Sequence, residues 1–338
     1  MKKRGKGIAC MFYPNGSTGK ANPTGAFIKI NHDGTAMLNI GATDIGQGSN
    51  TCMAQIAAEE MGLRLNQIRV VTGDTELTPY DSGTGACRVT YIAGNAVQRT
   101  ARKAKQMLLD AAARKMELIH ADQLVIENGE IFLRYWPDKR MTVAEAAFYS
   151  ERILGKPIIA VDSYSPATMP LDPENGQGMP FEVSIYATQI AEVEVDTDTG
   201  EVAITKLIAV HDCGHMLNPM LVEGQIEGGV VTGIGYGLME QIIEDPVNGG
   251  IRNPSLATYQ IPTAVDVPDN MIIDCLEIPE EKGPFGAKGV SEPTCNPTAP
   301  AIVNAIYDAV GVRITDLPAT REKVLFALKA LEQQRGEN

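Results

Sequence analysis

The run Gly283-Pro284-Phe285-Gly286-Ala287-Lys288-Gly289-Val290-Ser291-Glu292-Pro293 limits what this chain can fold into more than any other segment. Three glycines and two prolines in eleven residues disfavour a regular helix, since interior glycine costs about 1 kcal/mol and proline about 3 kcal/mol. Such a backbone can also approach a ligand closely. One carboxylate, Glu292, is set in the run between Ser291 and Pro293 and is a candidate general base. A loop carrying a solvated glutamate is the other reading of the same residues.

Two more glycine clusters each precede a helical pattern. Gly41-Ala42-Thr43-Asp44-Ile45-Gly46-Gln47-Gly48-Ser49-Asn50 ends a strand and opens a helix. Backbone N–H groups and the dipole at a helix start attract anions, and Gln47 adds a donor and an acceptor. The Lys-Ser/Thr ending of a phosphate loop is missing, as is the third glycine of a dinucleotide fingerprint. Asp81-Ser82-Gly83-Thr84-Gly85-Ala86-Cys87-Arg88 is the third cluster, with one fixed cation. Arg88 suits a phosphate, and it equally suits a structural salt bridge. Three such turns in an acidic chain point to a large phosphorylated cofactor; ordinary loops at three helix starts are the plain alternative.

The 338 residues are 44% hydrophobic and 21% charged, an ordinary globular mixture long enough for two lobes. A formal charge of −13 with no basic stripe argues against a nucleic-acid partner. No stretch is apolar enough to span a bilayer, and Met1-Lys2-Lys3-Arg4-Gly5-Lys6 has no apolar signal core behind it. No membrane partner and a cytoplasmic location are therefore expected. The six cysteines never form C-x-x-C, so they read as reduced thiols with no zinc or iron–sulfur ligand set. The four histidines form no set either; His211-Asp212-Cys213-Gly214-His215 lacks a fourth zinc ligand.

Hydrophobic periodicity places a hairpin over 26–40, a helix over 51–61 and a short strand over 67–71. A long helix follows over 90–118, then a hairpin over 124–133 turning at Asn128-Gly129. Strands at 189–195 and 202–210 flank a turn at Gly200, and helices are expected over 219–240, 300–310 and 320–331. Hairpins and helices mix without a βαβ rhythm, so the class is α+β. The Pro/Gly-rich stretch 155–180 sets the expected division into subdomains 1–165 and 166–338.

Together these segments resemble the molybdenum hydroxylases, the xanthine dehydrogenase and aldehyde oxidase family, over the C-terminal half of the molybdopterin-binding subunit. Gly46-Gln47-Gly48 is similar to the family's Gly-Gln-Gly. Thr84-Gly85-Ala86-Cys87-Arg88 ahead of Gly94-Asn95-Ala96-Val97 resembles its small-residue loop before Gly-x-Ala-Val. Asn218-Pro219 with Gly224-Gln225-Ile226-Glu227-Gly228, and Gly286 to Pro293, resemble two further motifs. The resemblance runs from about residue 4 to residue 330. Ser291 departs from it by replacing a glycine, and Cys87 by replacing a serine.

The resemblance implies two mixed α/β-layer subdomains of the second molybdopterin-binding half. It implies molybdopterin with molybdenum, in the cytosine dinucleotide form, and no protein ligand to the metal. Glu292 is the implied general base, and Gly46, Gln47 and Gly48 hold the pterin or its pyrophosphate. Gln225 bonds the pterin ring, and Lys288, Gly289, Val290 and Ser291 form the loop beside the metal. Gly85, Ala86, Cys87 and Arg88 flank the cofactor, with Ala86 small enough to leave room for substrate. The split form looks like the medium molybdopterin subunit of nicotinate dehydrogenase. That implies a larger molybdopterin subunit, a [2Fe-2S] subunit and an FAD subunit as partners, and a heterocycle or aldehyde substrate. Nicotinate is expected first, then purines, then aldehydes. A non-catalytic assembly subunit is the alternative of another class, and Glu292 discriminates, since a scaffold has no use for an acid there.

Overall fold

A computed structural model describes residues 1–17 and 19–336. In chain order, its first half contains β1 (Lys2–Pro14), β2 (Thr24–Ile30), β3 (Ala36–Ile40), α1 (Ser49–Met61), β4 (Ile68–Val71) and α2 (Gly94–Lys115). Next come β5 (Leu124–Glu127), β6 (Glu130–Leu133), β7 (Trp136–Thr142), α3 (Val143–Phe148) and β8 (Ile158–Tyr164). The second half adds β9 (Ser184–Asp196), β10 (Val202–Asp212), α4 (Pro219–Leu238), β11 (Met271–Leu276), α5 (Thr298–Val310) and α6 (Arg321–Gly336).

The expected hairpins and long helices all form, and the class is α+β. One sheet has the order β4-β3-β2-β8, a second β1-β9-β10-β11, and a three-stranded meander joins β5, β6 and β7. The 155–180 stretch is not all linker. Its first part becomes β8, whose alternating Ile158, Ala160 and Tyr164 are buried while it pairs antiparallel with β2. β1 crosses the 165/166 division: Lys2–Pro14 pair antiparallel with Asp196–Ser184, so the start of the chain completes the second sheet.

Each sheet backs its own apolar core. The first gathers Ile28, Leu38 and Ile40 against Met53 and Ile56 of α1 and Val97, Ala101, Ala104 and Leu108 of α2. The second packs Val193, Val195 and Leu207 against Ile226 and Val230 of α4 and Ala301, Ile302 and Ala305 of α5. Alanines at successive turns of α2 and α5 let both helices lie close to their sheets.

Helix α5 comes closest over β1. A Cβ on Gly7 would stand 2.1 Å from the Ala301 carbonyl oxygen and 2.3 Å from the Ala305 nitrogen, so only glycine fits without moving the helix. Gly7→Ala is expected to cost about 1–3 kcal/mol by overpacking, read as a lowered urea midpoint.

His211 on β10 is fully buried; its Nδ1 has no partner and its Nε2 faces the Gln189 amide at 3.3 Å. Burial lowers its pKa from 6.5 to about 4, so it folds neutral. The unfolded chain binds this proton at higher pH than the folded one. Its contribution is therefore complete above about pH 6.5 and lost as pH falls toward about 4. Urea midpoints should drop between pH 7 and pH 5, with a shallower drop in His211→Gln.

Candidate functional site

Three loops from distant parts of the sequence meet around one cavity of about 390 Å³. The first, 41–48, follows β3 and opens α1; the second, 81–88, runs into a π-helical turn and α2. The third, 283–293, leaves β11 and ends in a short 3-10 turn at Glu292–Thr294. Helix α4 closes the side: the Asn218 side chain caps it by accepting from Leu221 N at 3.2 Å, with Pro219 at its first position.

Glu292 sits where the second and third loops touch. Its Oε1 accepts the Ala86 backbone N–H at 2.7 Å, and its Oε2 accepts the Tyr13 hydroxyl from the end of β1. Its own N–H donates to Cys87 Sγ at 3.1 Å. The residue as a whole is exposed, but its carboxylate is held by two donors. Ala86 and Cys87 reach this contact with φ of 49° and 51°, an unusual left-handed pair for residues with a Cβ. Gly289 permits the approach, since a Cβ there would lie 2.2 Å from the Cys87 carbonyl oxygen. Burial pushes the Cys87 thiol up to about 12, so it stays a neutral sulfur receiving a hydrogen bond.

Thr84 ties the second loop to the first, donating to the Thr43 carbonyl at 2.7 Å and accepting from Thr43 N at 3.0 Å. At the start of α1 the anion is already supplied by the chain. Asp44 accepts from Gly46 N at 2.9 Å, Gly48 N at 3.3 Å and Asn50 N at 3.1 Å. Burial works to raise the Asp44 pKa, but these three N–H bonds outweigh it and hold the carboxyl below the usual range. Gln47 turns its Oε1 back to Ile45 N at 2.7 Å and lines the cavity with its remaining surface.

Both cations expected at the site are committed elsewhere. Arg88 is buried, and its Nε donates to Asn22 Oδ1 at 2.7 Å. Its Nη1 donates to Asp81 at 2.6 Å and to the Gly83 carbonyl at 3.0 Å. Its Nη2 donates to the Pro23 carbonyl and to Thr24. All five donors are used, so Arg88 is the structural brace and not a phosphate clamp. Lys288 is buried too, 2.7 Å from Asp212 Oδ2. Burial explains both, because a charge taken out of water must find a partner.

Of the sequence-derived residues, Gly46, Gln47, Gly85, Cys87, Arg88, Gln225, Lys288, Gly289, Val290, Ser291 and Glu292 border the cavity. Gly48 adjoins it between Gln47 and Ser49, and Ala86 reaches it through its bond to Glu292. Sequence reasoning missed Tyr13, Asp44, Ser49 and Thr84. Asp44, as an Asx-type turn residue before a helix, was recoverable; Tyr13, 279 residues from Glu292, carries no local signal.

The cavity fits a large polar cofactor on its own terms. Ser49 Oγ, in a residue 6% exposed, is buried on its wall without a partner. A Cβ at Gly46 would meet nothing within 4 Å, and one at Gly85 only Glu292 Oε1 at 3.9 Å. Bare backbone thus faces open space on two sides, and an orphaned hydroxyl waits on a third. Among the described residues no group of three or more His, Cys, Asp or Glu could hold a metal ion, and no helix is long and apolar enough to cross a membrane. His211, Asp212 and His215 engage separate partners, the last pairing with Glu277 at 2.8 Å.

The chain is similar to proteins of one family. Residues 1–268 match the molybdopterin cofactor-binding domain family. The chain is 34% identical to a putative xanthine dehydrogenase molybdenum-binding subunit of Escherichia coli, over 95% of this chain and 42% of that one. It is 32% identical to the nicotine 6-hydroxylase large subunit of Paenarthrobacter nicotinovorans, over 96% of this chain and 39% of that one. Its fold superposes on quinoline 2-oxidoreductase from Pseudomonas putida with a TM-score of 0.86 and 29% identity, covering 97% of this chain and 42% of that one. The chain therefore spans about two fifths of the length of these relatives.

Arg88→Met should leave Asp81 buried and unpaired and cost about 3–5 kcal/mol. The readout is urea unfolding of the full chain.

Proposed function

The chain belongs to the molybdopterin cofactor-binding domain family, and from that premise we propose that it is the base-bearing part of a molybdenum hydroxylase. The reaction adds a hydroxyl to an electron-poor carbon of a nicotinate-like N-heterocycle: substrate C–H and water become C–OH, two protons and two electrons. Relatives named for nicotine and quinoline, both N-heterocycles, favour this class. The xanthine dehydrogenase relative favours a purine, the second reading. The observation that carries the proposal is the Glu292 carboxylate, held by two donors at the edge of the cavity where the three loops meet.

Molybdopterin with molybdenum, in its cytosine dinucleotide form, would supply the redox centre that takes up the two electrons. Gln47, Ser49 and Gln225 would hold it by neutral hydrogen bonds, because the neighbouring cations are already paired. Gly46 and Gly85 leave it room. Glu292 takes the proton of the water-derived oxygen as that oxygen attacks carbon. Each carboxylate oxygen spends one lone pair on its donor and keeps another for this proton. The Ala86 N–H holds Oε1 in place while the proton moves.

The relatives are more than twice as long as this chain, so a larger molybdopterin subunit would supply the facing wall. A [2Fe-2S] subunit and an FAD subunit would carry the electrons away, with the assembly in the cytoplasm. Glu292→Gln in the assembled complex should lower turnover of nicotinate or xanthine about 10²–10⁴-fold, with molybdenum content near wild type. Parallel loss of metal and activity would instead make Glu292 a structural residue.

A further inference from the structure

We propose that Tyr13 is a positioning residue for Glu292, fixing the carboxylate in the one orientation that faces the cavity. The inference rests on the reading of Glu292 as the general base.

The two donors to Glu292 come from segments that are fastened to each other. Tyr13 sits at the end of β1, paired with Ile185 of β9. Just beyond it, Asn15 N donates to the Val183 carbonyl at 3.1 Å and Gly16 N donates to the Ala86 carbonyl at 2.7 Å. Ala86 is the residue whose N–H holds Glu292 Oε1. A closed circuit results: the Tyr13 hydroxyl grips one carboxylate oxygen, Ala86 the other, and Gly16 ties the two grips together.

The restraint matters because Glu292 is exposed and a free glutamate samples several staggered rotamers. Misplacing a reacting group by about 1 Å can cost about 10²-fold in rate. Burial first, then the bond to Glu292, push the Tyr13 hydroxyl's titration well upward, so it remains a donor at working pH. The other titratable groups at this contact are the Cys87 and Cys295 thiols, both raised by burial and therefore neutral.

The test is Tyr13→Phe, which keeps the ring and deletes the hydroxyl. In the assembled complex, kcat with nicotinate or xanthine should fall about 10–100-fold, with KM within about twofold and molybdenum content unchanged. The full chain without cofactor gives a second readout. The carboxylate stretch, isolated as wild type minus Glu292→Gln in the infrared, should shift in Tyr13→Phe. An unmoved band would overturn the proposal, as would matching losses of metal and rate. If Glu292→Gln keeps its turnover, the general-base reading fails and takes the proposal with it. If Glu292→Gln is inactive while Tyr13→Phe matches wild type, only the role of Tyr13 is lost.

Discussion

The contact between the turn at Gly85–Arg88 and the segment Gly289–Glu292 governs this molecule. Ala86 N–H and Cys87 Sγ take hold of Glu292 from one side, and Gly289 allows the two backbones to press together. More than 200 residues separate the partners, so the contact exists only once both cores have formed and met. Left-handed backbone at two consecutive non-glycine residues is uphill by itself. It persists because Arg88, next in the chain, is locked by five hydrogen bonds. The brace behind the turn and the acid in front of it are parts of one device.

Charge is handled the same way throughout the site. Arg88 answers Asp81, Lys288 answers Asp212, and Asp44 answers the N–H groups at the start of α1. What faces the cavity is mostly neutral: aliphatic side chains such as Leu217, Leu221 and Val222, glycine backbone, amides, serine and threonine hydroxyls and thiols. A wall of this kind binds by shape and hydrogen bonding more than by attraction between net charges, and responds less to salt. Among the described residues no free cation adjoins Glu292, the carboxylate on that wall, to pin it as an ion pair.

The sequence made the loops legible and left their wiring hidden. Gly-rich composition and helix starts located the segments at 41–50, 81–88 and 283–293, and amphipathic periods located both hairpins and the long helices. Those signals are local. The pairing of β1 with β9, the bond from Tyr13 and the capture of Arg88 by Asp81 depend on which surfaces meet in space. β8 was obscured by the prolines around it, since Pro157 and Pro166 flank a strand whose own residues alternate buried and exposed. The Arg88 fork suits phosphate and carboxylate equally in sequence; burial, which composition does not report, decides for the carboxylate.

β1 emerges from the ribosome some 170 residues ahead of the strand that receives it. At about 5–20 residues per second, that leaves a thirteen-residue strand unpaired for on the order of 10–35 s of synthesis. Lys2, Lys3, Arg4 and Lys6 along its first half would keep so long an open edge soluble during the wait. The uncharged backbone from Phe12 to Pro14 is the part of that edge left unguarded until β9 is made.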